Sequence, residues 1–163
     1  MKTKYLLLMG CLLACSLAGA QHNTFKSLFD KYEKEDNVTI VSISKAMFNL
    51  IPGNINTGNV DLRSVVPKIE SLLIITSEKS EMKTKMYADF KALVDKNKDY
   101  EELMRIKSDK TNVTFNARKK GNIIQELVML VHDEDNFVAI QILGNFTIEE
   151  IQKIAQDTQT LTQ

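Results

Sequence analysis

The sequence predicts an α+β fold: a single domain with a mixed or antiparallel sheet that ends in a C-terminal β-meander and is packed by amphipathic helices. Three observations predict it. Apolar residues recur at helical spacing in two stretches, Phe25–Tyr32 and Met82–Val94. From Tyr100 onward the apolar period changes from 3.6 to 2. Short polar segments then divide the chain at hairpin lengths.

The elements follow in order. Phe25, Leu28, Phe29 and Tyr32 stand at i, i+3, i+4 and i+7, with lysines and acids between them, and form a short amphipathic helix. Val38 to Ile43 is β-branched and reads as a strand. Met47, Leu50 and Ile51 suggest a brief helical turn ended by Pro52-Gly53, and Asn54 to Asn59 reads as a loop. Val60 to Val66 suggests another short helix. Ile69 to Thr76 contains Leu72-Leu73-Ile74-Ile75, apolar on both faces, which places it inside a sheet. Ser80 opens the longest helix, with Met82, Met86, Phe90, Leu93 and Val94 as its buried stripe and Lys79, Lys83, Lys85 and Lys91 turned outward.

Four strands are expected next, at Glu101–Lys107, Val113–Arg118, Ile123–His132 and Phe137–Leu143. The third and fourth are apolar on both faces and belong at the centre of the sheet. The first two carry Arg105, Asn116 and Arg118 and belong nearer an edge or water. Thr147-Ile148-Glu149-Glu150 fits a capping box. It starts a closing helix that buries Ile148, Ile151, Ile154 and Ala155, and the tail from Asp157 is expected to fray.

Residues 1–20 read as an export signal: Lys2 and Lys4, an apolar run, then small residues with a cleavage site between Ala20 and Gln21. The competing reading is a lipobox, Leu12-Leu13-Ala14-Cys15, with cleavage before Cys15 and acyl chains on its sulfur. Both readings predict export, to the periplasm or, if Cys15 is lipidated, to a membrane. The apolar run is too short for a spanning helix, which needs roughly 20 residues. Cys11 and Cys15 are the two cysteines of the chain, so cleavage after Ala20 leaves none and the domain 21–163 must stabilise itself by burial. Twenty-one basic residues balance 21 acidic ones, so there is no electrostatic footprint for nucleic acid. Asn37, Asn112 and Asn145 each begin an Asn-x-Thr triplet and read as strand starts and caps.

Catalytic and metal-binding sets are sparse. His22 sits beside the expected terminus. His132 beside Asp133 is a base next to an acid, but no G-x-S-x-G elbow supplies a nucleophile, so a solvated strand end is expected. Asp133, Glu134, Asp135 and Asn136 offer clustered oxygens but lack the spacing of an EF-hand loop and read as a polar turn. Gly53, Gly58 and Gly121 are isolated and form no phosphate cradle. Arg118-Lys119-Lys120-Gly121 reads as a soluble strand end. Glu101 and Glu102 adjoin on a strand and point to opposite faces. Glu149 and Glu150 suit a helix start. No catalytic, cofactor-binding or metal-binding residue is assigned, and no cofactor is expected.

Several segments together resemble one family. They are Phe25-x-x-Leu28-Phe29-Asp30-Lys31-Tyr32, Val41 to Phe48, Tyr100 to Met104, Glu126 to Val131 and Gln141 to Thr147. In that order they resemble the domain-of-unknown-function family 4252, exported proteins of Bacteroidetes, from about Phe25 to Ala155. The resemblance implies an exported or lipid-anchored protein of a diderm bacterium and implies no reaction. The expected role is a non-catalytic binding or regulatory module of the cell envelope, with an envelope protein or small ligand as partner. A lipid-anchored structural or sensing role and a carboxylate-based hydrolase stand as alternatives.

Overall fold

The computed structural model describes residues 24–50, 56–57, 60–61 and 65–150. Helix α1 (Thr24–Tyr32) is followed by strand β1 (Thr39–Ser44) and a single turn, α2 (Lys45–Phe48). Two short strands, β2 (Asn56–Thr57) and β3 (Val60–Asp61), pair with each other. A 3-10 turn at Val66–Lys68 leads into β4 (Ile69–Ser77), then α3 (Ser80–Lys96). Four strands close the described chain: β5 (Tyr100–Lys107), β6 (Thr111–Lys120), β7 (Ile123–Asp133) and β8 (Phe137–Thr147).

Six of these strands form one antiparallel sheet in the order β1-β4-β8-β7-β6-β5. α3 carries the chain from β4 to the far edge, and the meander then walks back until β8 pairs with β4. The both-face apolar strands β4, β7 and β8 are interior, as their composition predicts. The α+β class holds.

One face of the sheet is covered by α1 and α3. Phe25, Phe29, Tyr32, Met86 and Phe90 from the helices meet Ile75, Val128, Leu130, Phe137 and Ala139 from the strands. The rings lock edge to face, with Phe25 and Phe29 centroids 5.1 and 5.7 Å from Phe90. Such pairs add about 0.5–1.5 kcal/mol each beyond burial. The Tyr32 hydroxyl donates to Asp89 Oδ2 at 2.6 Å, and Lys31 Nζ meets the same oxygen at 2.5 Å. These bonds hold the Asp89 carboxyl below the usual carboxylate range. Burial, with Asp89 alongside, pushes the Tyr32 phenol up.

A second, smaller cluster closes one end of the opposite face: Val65, Ala117, Ile124 and Phe146, with Ile69, Leu127, Ile142 and Ile148 packed against it. The capping box forms there. The Thr147 N–H donates to Glu150 Oε2 at 3.0 Å, and the Glu150 N–H donates to Thr147 Oγ1 at 3.2 Å. Lys68 Nζ adds a 2.5 Å ion pair to Glu150 and, with the Thr147 N–H, keeps that carboxyl ionised below its ordinary range. Ile148 is half-buried in this cluster, whereas Ile151, Ile154 and Ala155 lie outside the described residues.

Three expectations are corrected. Val60 and Asp61 are a strand and not a helix, paired with Asn56 and Thr57 of the supposed loop. The intervening Gly58-Asn59 is a hairpin signal that the apolar spacing of Val60 to Val66 obscured. Lys83 does not face outward. It is buried, and its ammonium caps the β7–β8 turn by donating to the carbonyls of Asp133, at 3.2 Å, and Glu134. β5 and β6 do lie at and next to an edge, as expected, but Asn116 is buried and Arg118 half-buried, so these two do not face water. Both point at the helix-covered side, where a buried carboxylate waits for Arg118.

Candidate functional site

Antiparallel register sorts every strand residue to one face, because directly opposed residues share a side. On the helix-covered side the register runs Ile40, Ile75, Ala139, Leu130, Thr114, Arg105 and then Ser42, Leu73, Gln141, Val128, Asn116, Glu102. This side turns polar toward β6 and β5. Its centre is Glu126, with its side chain only 2% exposed. Tyr100 Oη donates to Glu126 Oε1 at 2.8 Å and Gln141 Nε2 donates to the same oxygen at 2.5 Å. Arg118 donates to Oε2 through Nε at 2.9 Å, and its Nη2 makes an ion pair with the same oxygen at 2.8 Å. Burial and the adjacent carboxylate push the Tyr100 phenol up. A carboxylate held by three hydrogen bonds and an ion pair is a structural anchor for β5, β6, β7 and β8. The parity of Glu126 with Val128 and Leu130 is the sequence signal that pointed it toward the helix-covered side.

The opposite face is built differently. Its middle row crosses all six strands as Val41, Ile74, Ile140, Met129, Phe115 and Met104. The next row runs Thr39, Thr76, Val138, Val131, Val113 and Ile106, and carries no charge. The third, Ile43, Leu72, Ile142, Leu127, Ala117 and Glu101, ends on the one charged residue of the three rows. That third row is the one reached by the Val65–Phe146 cluster. The middle row belongs to neither core cluster. Val41 is 42% exposed, Met104 44% and Ile106 50%, and the residues between them are half-buried. Six strands set the row at about 24 Å from first axis to last. An antiparallel sheet ordinarily turns polar residues to its uncovered side. An apolar band of this extent marks a surface built to be covered.

The residues singled out from sequence fall elsewhere. His132 is no solvated strand end. Its imidazole is half-buried and stacks on Tyr87, with centroids 4.4 Å apart. Burial and the Lys83 ammonium lower its pKa, partly offset by Asp133. Asp133 serves its own turn: Oδ1 accepts the N–H groups of Asp135 at 2.8 Å and Asn136 at 2.7 Å. Those bonds, the Asn136 one foremost, hold its carboxyl below the usual range. Among the described residues no group of three His, Cys, Asp or Glu side chains is placed to share a metal ion. Lys119 pairs with Glu101 at 2.5 Å and Glu102 with Arg105 at 2.9 Å, so the two adjacent glutamates point apart as expected. Ala20, Gln21, Cys15, Cys11 and His22, with Gly53 and Gly58, lie outside the described residues. A groove of about 620 Å³ runs between α1 and the C-terminal half of α3, lined by Leu28, Lys31, Asp89, Leu93 and Lys96 among others. It is open to solvent, and two of its lining residues, Lys31 and Asp89, are ion-paired with each other.

Residues 32–154 match the family model described as Domain of unknown function (DUF4252). The chain belongs to the DUF4252 family. The match begins at the last residue of α1, spans the whole six-stranded sheet and reaches past the capping box. No curated protein matches the chain. In this DUF4252 chain no described helix is long and apolar enough to cross a membrane.

Proposed function

We propose that residues 21–163 form one exported domain of the cell envelope that binds a partner without catalysis, through the sheet face opposite α1 and α3. One observation carries this reading: the unbroken apolar row Val41, Ile74, Ile140, Met129, Phe115, Met104, part-exposed on the face opposite α1 and α3 and outside both core clusters. Residues 1–20 supply the address, with Gln21 or the acylated Cys15 as the new terminus. The clamped state of Glu126 supports the non-catalytic reading, since a hydrolytic carboxylate must be free to meet substrate.

The test is recovery of the tagged full chain from envelope extracts beside the Ile140→Lys variant. A charge at the centre of the row removes the bound partner while the thermal melt stays cooperative. Equal recovery by both proteins, or no partner with either, overturns the reading. Intact mass of the exported chain separates Gln21 from Cys15 in the same preparation.

A further inference from the structure

The sheet is open, and its two edges differ. β5 is a blunted edge: its pairing with β6 is interrupted by a bulge between Glu102 and Met104, and it carries Glu101, Glu102, Arg105 and Lys107. Bulges and charges of this kind keep edges from pairing with other chains. Those charges are also engaged at home, Glu101 by Lys119 and Glu102 by Arg105.

β1 has none of these devices. Thr39-Ile40-Val41-Ser42-Ile43-Ser44 holds no charge and no proline, and it pairs with β4 in unbroken register. Thr39, Val41, Ser42 and Ser44 are exposed, and Met47 and Leu50 just beyond are 58% and 76% exposed. Its outer backbone groups are an unpaired row of donors and acceptors among the described strands.

We propose that β1 is a dimerisation edge that pairs antiparallel with β1 of a second copy. Two facts select this occupant. The edge is neutral and β-branched, so it complements itself without charge conflict. Two-fold pairing also closes on itself, whereas β1 against the charged, bulged β5 of another copy would be head-to-tail and open-ended. Registers centred on Val41 or on Ser42 keep matching faces together, because opposed residues share a side. Centred on Val41, each Val41 opposes Val41 of the second copy, and centred on Ser42 it opposes Ile43, so in both the apolar row runs on from one copy into the next. Met47 and Leu50, which follow β1 directly in the chain, are exposed apolar side chains. The inference is independent of the identity of any partner on the sheet face.

The test is the mass of the purified exported protein by sedimentation equilibrium, with Val41→Lys, Ser42→Lys and Leu103→Lys, the last on β5. The wild type and Leu103→Lys sediment as dimers. Val41→Lys and Ser42→Lys halve the mass with unchanged circular dichroism. Amide exchange on the wild type gives a readout without mutation: dilution below the dissociation constant removes protection from residues 39–44 selectively. A wild-type monomer at 100-fold higher concentrations, a mass that climbs past the dimer, or loss of the dimer only in Leu103→Lys overturns the proposal.

Discussion

Replacing Arg118 with Met isolates the worth of the Glu126 anchor. Glu126 is 2% exposed and Arg118 35%, so the pair is buried at the carboxylate end and wet at the guanidinium end. Removing Arg118 leaves a buried carboxylate with Tyr100 and Gln141 as its remaining donors. Breaking a buried pair by deleting one partner costs about 3–5 kcal/mol. The two surviving donors place Arg118→Met at the lower end, about 3 kcal/mol, since hydrogen bonds to a charged group each offset part of its desolvation. Glu126→Gln is milder, about 1–2 kcal/mol, because the amide still accepts from Tyr100 and the freed guanidinium can turn to water. The double variant then costs less than the sum of the two, since the uncompensated charge is gone. Urea denaturation of the four proteins measures the cycle. A cost below about 1 kcal/mol for Arg118→Met, or strict additivity in the double variant, would refute the anchor.

Two further outcomes follow from the same geometry. A Cβ added at Gly144 would meet the Phe146 ring and lie 2.6 Å from the Lys68 carbonyl oxygen, so the backbone between β8 and the 3-10 turn must shift. Gly144→Ala therefore destabilises by about 1–3 kcal/mol, read by chemical denaturation, and a neutral result would contradict the close approach. His132 has its pKa held below the ordinary 6.5 by burial and Lys83, against Asp133. The unfolded chain takes up this proton first, so the contribution is full above pH 6.5 and is lost as pH falls toward the folded value. His132→Gln flattens the stability profile below about pH 6.5, and an unchanged slope would show that His132 is not its source.

Much of the fold was legible because period and parity are local. The change to period 2 at Tyr100 located the meander, and the two apolar faces of β4, β7 and β8 placed them inside the sheet. Thr147 and Glu150 stated the capping box outright. What escaped depends on contacts distant in sequence. Nothing near Lys83 says that the carbonyls of Asp133 and Glu134 lie within its reach. Arg118 reads as a solvent-facing residue until β6 is set beside β7 and Glu126 comes opposite it. His132 met Tyr87 only once α3 crossed the sheet. The candidate binding face was half legible. Apolar residues on both sides of a strand announce two covered faces, but which side α1 and α3 take is decided by tertiary packing.

The central claim is that the sheet face opposite α1 and α3 receives a partner. The most direct measurement places a photoreactive side chain at Ile140, in the middle of the apolar row, and a second at Lys91 on α3, then irradiates intact cells. The account predicts a discrete cross-linked adduct from position 140 and none from position 91. No adduct from 140, or the same adducts from both positions, would contradict it.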